Sequence, residues 1–191
     1  MKVLIGCEYS GTVRDAFLDR GHDALSCDLL PSDKPGPHYQ GDIKDIINDN
    51  WDLAVFHPPC THLAVSGARW FKNKQAEQKE ALDFVRDLMT AEIPRIAIEN
   101  PISIISSHIR KPDQIVQPYM FGDPYTKTTC LWLKNLPLLQ PTNIVEKGKH
   151  HITKSGRSLP EWYNIPPCDD RAKLRSKTFE GFARAMAEQW G

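Results

Sequence analysis

The sequence predicts an α/β fold in which a mostly parallel sheet carries helices on both faces. Short apolar runs, each long enough for one strand, alternate with stretches of helical periodicity. The first apolar run ends in a turn at Gly11, and the second closes on an acid at Asp28. An acid roughly twenty residues after the first turn is typical of nucleotide-binding βαβ units, so we expect a Rossmann-like sheet.

The first half of the chain alternates between strand and helix signals. Residues 2–7 are apolar and predict a strand, and Val13, Ala16 and Phe17 at helical spacing predict a helix over 12–20. A second strand over 23–28, a proline-rich loop over 31–37, a short third strand over 41–43 and a buried fourth strand over 51–57 follow. This order is typical of a parallel sheet built from crossover units.

The second half begins with the same alternation and then loses it. An amphipathic helix is predicted over 74–91 and a fifth strand over 95–99. The other predicted elements are strands over 114–118 and 129–133 and a closing helix over 179–190. Residues 137–177 are polar, rich in Pro, Lys and Arg, and without clear periodicity, so we expect an irregular segment there.

The length of 191 residues indicates one globular domain over residues 1–191. The 24 basic and 24 acidic residues cancel, so any contact with nucleic acid must come from a local patch. No apolar run approaches the roughly 18 residues that span a bilayer, and the chain begins with a strand pattern instead of a leader. We therefore expect neither secretion nor a membrane partner.

The five cysteines, at positions 7, 27, 60, 130 and 168, are odd in number and widely spaced. They form neither a disulfide framework nor a CxxC pair of metal ligands. This usage predicts a reduced, cytoplasmic protein.

The first turn and the acids after it suggest a nucleoside site. Gly11 allows backbone amides to approach a ligand, and Asp28 could bind ribose hydroxyls. Asp42 follows the predicted third strand and is a candidate partner for an adenine amino group. The alternative is an ordinary turn with surface acids.

Cys60 is the candidate nucleophile. It follows Pro58 and Pro59, which fix φ and stiffen the loop, and His57 and His62 flank it closely enough to tune its pKa. One alternative is a half-buried structural cysteine. Another is a zinc site made by the two histidines and Cys60, although no fourth ligand is evident.

Glu99 is the candidate proton donor. An acid at the end of an apolar strand is costly unless it has a partner or a purpose. Asn100 and Pro101 form a stiff turn beside it, and a carboxyl with a raised pKa there could protonate a ring nitrogen. The alternative is a cap on a neighbouring helix. Because strand ends of a parallel sheet share one edge, Cys60 and Glu99 together suggest covalent attack on an electron-poor ring.

Basic residues in the later loops are candidate phosphate contacts. They are Lys127 and the run His150, His151, Lys154 and Arg157. Solvated surface charge is the alternative for all of them.

The ordered set of Gly11, Asp28, Pro58-Pro59-Cys60 and Glu99-Asn100 resembles the DNA cytosine-5 methyltransferases. The chain looks like a small, phage-type member of that family. By this resemblance, Cys60 would attack C6 of cytosine and Glu99 would engage N3, which makes C5 nucleophilic toward the methyl group of S-adenosylmethionine. The target base would leave the helix, as it must for an enzyme that works on a base inside a duplex.

The resemblance also implies a cofactor site and a substrate site, with no metal. S-adenosylmethionine would be held by Glu8, Ser10, Gly11, Asp28, Asp42 and Pro58. Asn100 and Lys127 would contact the substrate, which is DNA, duplex or single-stranded, or a cytosine nucleotide.

The chain departs from the family pattern at several places. Gly11 stands alone where the family has a glycine-rich loop, and Thr61 follows the nucleophile where glutamine is common. Lys127 and Thr129 replace an arginine pair, and Phe182 replaces an asparagine. Residues 137–177 stand in place of a target-recognition domain, so the substrate is smaller or single-stranded, the specificity is slight, or a protein partner supplies it.

Two other functions remain open from the sequence. One is a non-catalytic module that keeps the fold and binds a nucleoside or a protein partner. The other keeps the thiolate chemistry but transfers a different one-carbon group to the pyrimidine.

Overall fold

The computed structural model describes residues 1–160, 176 and 178–191. Its main sheet has seven strands: β1 (Lys2–Gly6), β2 (Asp23–Asp28), β3 (His38–Gln40), β4 (Leu53–Phe56), β5 (Arg95–Pro101), β6 (Gln114–Val116) and β7 (Thr129–Lys134). The helices are α1 (Thr12–Leu18), α2 (Gln75–Thr90), α3 (Ile105–His108) and α4 (Glu180–Trp190). Short 3₁₀ segments occupy Ile43–Asp45, Val65–Asn73 and Pro118–Met120. A separate hairpin pairs β8 (His150–Ile152) with β9 (Ser158–Pro160).

The seven strands lie in the order β3-β2-β1-β4-β5-β7-β6. β1 pairs in parallel with β2 and β4, and the pairs β2–β3 and β4–β5 are also parallel. Only β7 runs antiparallel to its neighbours β5 and β6. The strand order reverses between β1 and β4, and open α/β sheets bind ligands in the crevice at the carboxyl ends of such a pair.

Helices cover both faces of the sheet, as predicted. Val3 and Ile5 of β1 belong to the apolar cluster that includes α1 and α4, whereas Leu4 belongs to the cluster that includes α2. Successive residues of a strand point to opposite faces, so a strand buried on both sides is apolar throughout. This explains why the strand signals of the sequence are continuous apolar runs.

The third strand was predicted over residues 41–43, but it lies three positions earlier in the chain. The pairing partner of Ser26 is His38, and β3 ends at Gln40. Asp42 instead caps the following 3₁₀ turn, because its Oδ1 accepts a hydrogen bond of 2.9 Å from the amide of Lys44. Aspartate competes in this way with strand pairing wherever a short turn follows.

The segment 137–177 is not wholly irregular, because it contains the β8–β9 hairpin. Residues 161–175 and 177 lie outside the described part of the chain. Within the described part, no helix is both long and apolar enough to span a bilayer.

A fully buried arginine organises the loop after β2. The Arg14 guanidinium on α1 pairs with Asp15 at 2.7 Å. It also donates to the hydroxyls of Ser26 on β2 at 3.3 Å and of Ser32 at 3.1 Å, and to the Pro35 carbonyl at 2.9 Å. A Cβ at Gly36 would collide with this guanidinium, so the loop passes it at backbone distance. Arg14 therefore links α1, β2 and the proline-rich loop.

Candidate functional site

The loop after β1 wraps around a buried carboxylate, that of Glu8. Glu8 Oε1 accepts from the amide of Val13 at 2.7 Å and from the Ser10 hydroxyl at 2.9 Å, and Oε2 accepts from the amide of Arg14 at 3.3 Å. The Ser10 hydroxyl in turn accepts from the Thr12 amide. Glu8 and Ser10, two of the predicted cofactor residues, are thus turned toward the first turn of α1. A negative charge at that helix end is stabilised by the helix dipole.

Gly11 is required where it lies. It precedes α1 with a φ of 71°, and a Cβ there would meet the Arg14 guanidinium. A side chain would be strained by both the backbone and the contact. The packing of Arg14 on α1 therefore requires glycine at this turn, whether or not a ligand binds there.

Asp28 and Asp42 face the same loop as Cys7. Burial, reinforced by the negative charges of Asp28 and Asp42, raises the pKa of Cys7 to about 12. Asp28 Oδ1 accepts from the amide of Leu30 at 2.9 Å and the residue is half-buried, whereas Asp42 is exposed. The structure therefore gathers the predicted acids at one acidic rim beside the carboxyl end of β1.

An apolar pair on this rim was missed by the sequence reasoning. Leu29 and Leu30 directly follow Asp28 and are 73% and 53% exposed. Two large exposed aliphatic side chains beside a carboxylate suit a ligand with a flat apolar face and hydroxyl groups. The sequence could have indicated this pair, because two consecutive leucines stand at the start of an otherwise polar loop.

The loop that carries Cys60 is tied to the end of β5. Asn100 is buried, and its Nδ2 donates to the Pro58 carbonyl at 2.8 Å. On the far side of Cys60, the Ile104 amide donates to the Leu63 carbonyl at 3.0 Å. Cys60 is exposed between these two anchors. The segments after β4 and β5 therefore form one connected frame, and Cys60 lies two residues from the point held by Asn100.

Glu99 pairs with His57 instead of standing alone. His57 Nδ1 lies 3.1 Å from Glu99 Oε2, and the two side chains are only 9% and 16% exposed. Because the carboxylate can only accept, the imidazole donates through Nδ1. His57 Nε2 is buried and has no hydrogen-bond partner within the described part of the chain.

The expectation of a raised pKa at Glu99 is wrong. Burial does oppose ionisation, but the hydrogen bond and charge of His57, together with the charge of Lys127, hold the pKa of Glu99 below its ordinary value. The sequence placed His57 beside Cys60 as a group that tunes its pKa. It did not reveal that His57 pairs with Glu99, because these two residues are distant in the chain and adjacent only in the sheet.

The zinc alternative receives no support from this arrangement. His57 is oriented toward Glu99, and Cys60 is exposed. Over residues 1–160, 176 and 178–191, no group of three His, Cys, Asp or Glu side chains could hold a metal ion.

Lys127 lies with Glu99 in a narrow cleft. The cleft is lined by Glu99, Gln117, Lys127, Thr129, Phe179 and Phe182, among others. Lys127 Nζ lies 5.7 Å from the centre of the Phe179 ring. Of the two predicted substrate contacts, Lys127 therefore lines the same cleft as Glu99, whereas Asn100, the next residue in β5, is turned toward the Pro58 carbonyl.

A scan against protein-family models finds no match for the chain, and no curated protein matches it. The resemblance to the cytosine-5 methyltransferases stays a prediction. What the structure establishes is a mixed α/β protein with a seven-stranded, mostly parallel sheet.

Proposed function

We propose that the protein is an S-adenosylmethionine-dependent cytosine C5-methyltransferase that acts on DNA or a cytosine nucleotide through a covalent adduct at Cys60. The observation that carries this proposal is the hydrogen bond from Asn100 to the Pro58 carbonyl. It joins the Pro-Pro-Cys and Glu-Asn segments at one edge of the sheet, which supports a reaction to which both segments contribute.

The residues beside β1 fit S-adenosylmethionine better than a phosphorylated cofactor. The first amides of α1, which bind phosphate in many nucleotide sites, already hold the Glu8 carboxylate. S-adenosylmethionine has no phosphate, and its sulfonium and ammonium charges suit an acidic rim. In this proposal, Asp28 binds the ribose, Asp42 binds the adenine, and Gly11 and Pro58 supply backbone contacts. When bound, the cofactor supplies an electrophilic methyl group.

The proposed chemistry assigns one task to each side chain. The Cys60 thiolate forms a bond to C6 of the pyrimidine, and the C5–C6 π electrons move toward C5 as N3 receives a proton. With the cofactor bound, C5 would take its methyl group and S-adenosylhomocysteine would leave. Water would then accept the C5 proton, the electrons of that C–H bond would form the C5–C6 double bond, and the bond between C6 and the Cys60 sulfur would break and release the thiolate.

His57 completes the proton path. Glu99 has a lowered pKa and is ionised at neutral pH, so it needs a second group to supply the N3 proton. In this proposal, His57 relays a proton through its Nδ1 hydrogen bond to Glu99, and Glu99 delivers it to N3. Both groups return to their starting states when N3 gives the proton back.

Removing the imidazole should raise the pKa of Glu99. In His57→Leu the buried carboxylate loses its donor, so burial prevails and the pKa moves upward. A carboxyl whose pKa is lower in the folded than in the unfolded protein stabilises the fold at pH values above its unfolded-state pKa. His57→Leu loses this stabilisation, so its free energy of unfolding at pH 7 should fall by roughly 1–3 kcal/mol, and by less below about pH 4. Carboxyl-carbon NMR titration of Glu99 measures the shift.

His57→Asn is the matched control, because the asparagine amide can donate from nearly the same position as Nδ1. The pKa of Glu99 should stay low in this variant, whereas the proton path through residue 57 is lost. An unchanged Glu99 pKa in both variants would show that Lys127 alone controls the carboxyl group.

The proposed function is tested first at the cofactor. Calorimetric titration of S-adenosylmethionine and S-adenosylhomocysteine into the protein is expected to give a Kd on the order of micromolar. Asp28→Ala should weaken binding by at least about tenfold, which corresponds to one lost charged hydrogen bond. Asp23→Ala, an exposed aspartate at the other end of the same strand, is the control and should bind normally.

The outcome separates the competing functions. Cofactor binding followed by methyl transfer to duplex DNA, single-stranded DNA, RNA or a cytosine nucleotide supports the proposal and names the substrate. Absence of binding in the wild-type protein contradicts it. A covalent Cys60 adduct without binding would then favour another one-carbon donor, and the absence of both would favour a non-catalytic binding module.

A further inference from the structure

The β8–β9 hairpin concentrates positive charge in a chain whose net charge is zero. Between residues 147 and 160 there are four Lys or Arg side chains and no acidic one. The four are Lys147, Lys149, Lys154 and Arg157, and all four are exposed. Local charge of this kind attracts a polyanion even where the whole protein has no field.

The hairpin presents these charges on a short, ordered ribbon. His151 pairs with Leu159 in its register, and the turn closes where the Thr153 amide donates to the Arg157 carbonyl at 2.8 Å. Within the described residues, Lys149, Lys154 and Arg157 form no salt bridge. Ile152 is 68% exposed on the same ribbon.

The root of the hairpin is fixed to the segment that lines the Glu99 cleft. The Val145 amide donates to the Tyr119 carbonyl at 2.9 Å, and the Thr126 hydroxyl donates to the Lys147 carbonyl at 2.8 Å. Gln117 and Lys127, at the two ends of the same segment, are part of the cleft. A polymer lying along the hairpin would therefore reach the cleft without leaving the protein surface.

We propose that the β8–β9 hairpin binds the phosphodiester backbone of a nucleic acid beside the Glu99 cleft. The chemistry needed is a chain of phosphodiesters that several basic side chains can contact at once, which a single nucleotide does not offer. A two-stranded ribbon also has the width that a major groove admits. That the bound nucleic acid is the substrate rests on the proposed function; its binding to the hairpin rests on the charges alone.

The test measures binding without catalysis. Fluorescence anisotropy is recorded with labelled 20-nucleotide duplex and single-stranded DNA over a series of salt concentrations. The triple variant Lys149→Ala, Lys154→Ala, Arg157→Ala should lose at least about tenfold in affinity at low salt. Its slope of log affinity against log salt should fall by about 2–3, because each phosphate contact contributes about 0.9.

A second triple variant, Lys79→Ala, Lys111→Ala, Arg20→Ala, removes the same charges elsewhere on the surface and should keep affinity within about threefold. Equal losses in both triples, or no binding by the wild-type protein, would overturn the proposal. Tighter binding to the duplex or to the single strand identifies which of them the hairpin binds. Hairpin-dependent binding without methyl transfer would contradict the proposed function and leave this inference standing.

Discussion

Replacing Cys60 with alanine is expected to lower methyl transfer by about 10⁴-fold or more, with almost no change in stability. Loss of an attacking nucleophile costs enzymes this much because the remaining groups cannot open the covalent path. The Cys60 side chain is exposed, so its removal should change the free energy of unfolding by less than about 0.5 kcal/mol. Cofactor binding should be unchanged.

The measurement is transfer of labelled methyl groups to the substrate found in the screen. Thr61→Ala, the exposed neighbour, is the matched control and should keep most of the activity. An oligonucleotide with 5-fluorocytosine sharpens the experiment, since fluorine at C5 cannot leave as a proton and the adduct persists. Mass spectrometry should find that adduct in the wild-type protein and not in Cys60→Ala. Full activity in Cys60→Ala would rule out the covalent mechanism.

Gly181→Ala is expected to destabilise the fold by roughly 2–4 kcal/mol, although the residue lies far along the chain from both motifs. A Cβ at this position would overlap the Phe121 carbonyl oxygen and approach the Asp123 carboxylate. The latter accepts a hydrogen bond of 3.0 Å from the Gly181 amide, so α4 cannot move away without breaking it. Overpacking against a fixed backbone usually costs 1–3 kcal/mol, and the lost hydrogen bond adds to it.

Thermal unfolding should show the change as a fall in Tm of about 4–16 °C for a chain of this size. Gly67→Ala is the control, because a Cβ there meets no atom within 4 Å. It should alter the free energy of unfolding by less than about 0.5 kcal/mol. A Gly181→Ala protein with unchanged Tm would mean that the close packing of α4 against residue 121 is absent in solution.

Local sequence patterns were enough to predict most of the sheet. β2 is observed at the predicted residues, and the termini of β1, α1 and α2 differ by one or two positions. These elements have strong apolar periodicity, and tertiary packing agrees with it. The prediction of the third strand was wrong because β3 is a three-residue edge strand with little apolar character.

The parts of the site that could not be predicted depend on residues far apart in the chain. His57 and Glu99 are 42 positions apart and meet because β4 and β5 are neighbours. No periodicity encodes that hydrogen bond. Glu8 belongs to the same class, since its role as the cap of α1 follows from a side chain that folds back onto later amides.

The burial of Arg14 also decides how the molecule can open. Its guanidinium lies in the interior, and two of its hydrogen bonds go to backbone carbonyls of Lys34 and Pro35. If the proline-rich loop detached alone, the charge would lose these partners while still enclosed, which is costly. Loop, α1 and β2 should therefore exchange their amide hydrogens as one cooperative unit, at the rate set by unfolding of the sheet. Through this one side chain, we expect a surface loop that would ordinarily fluctuate to open only together with α1 and β2.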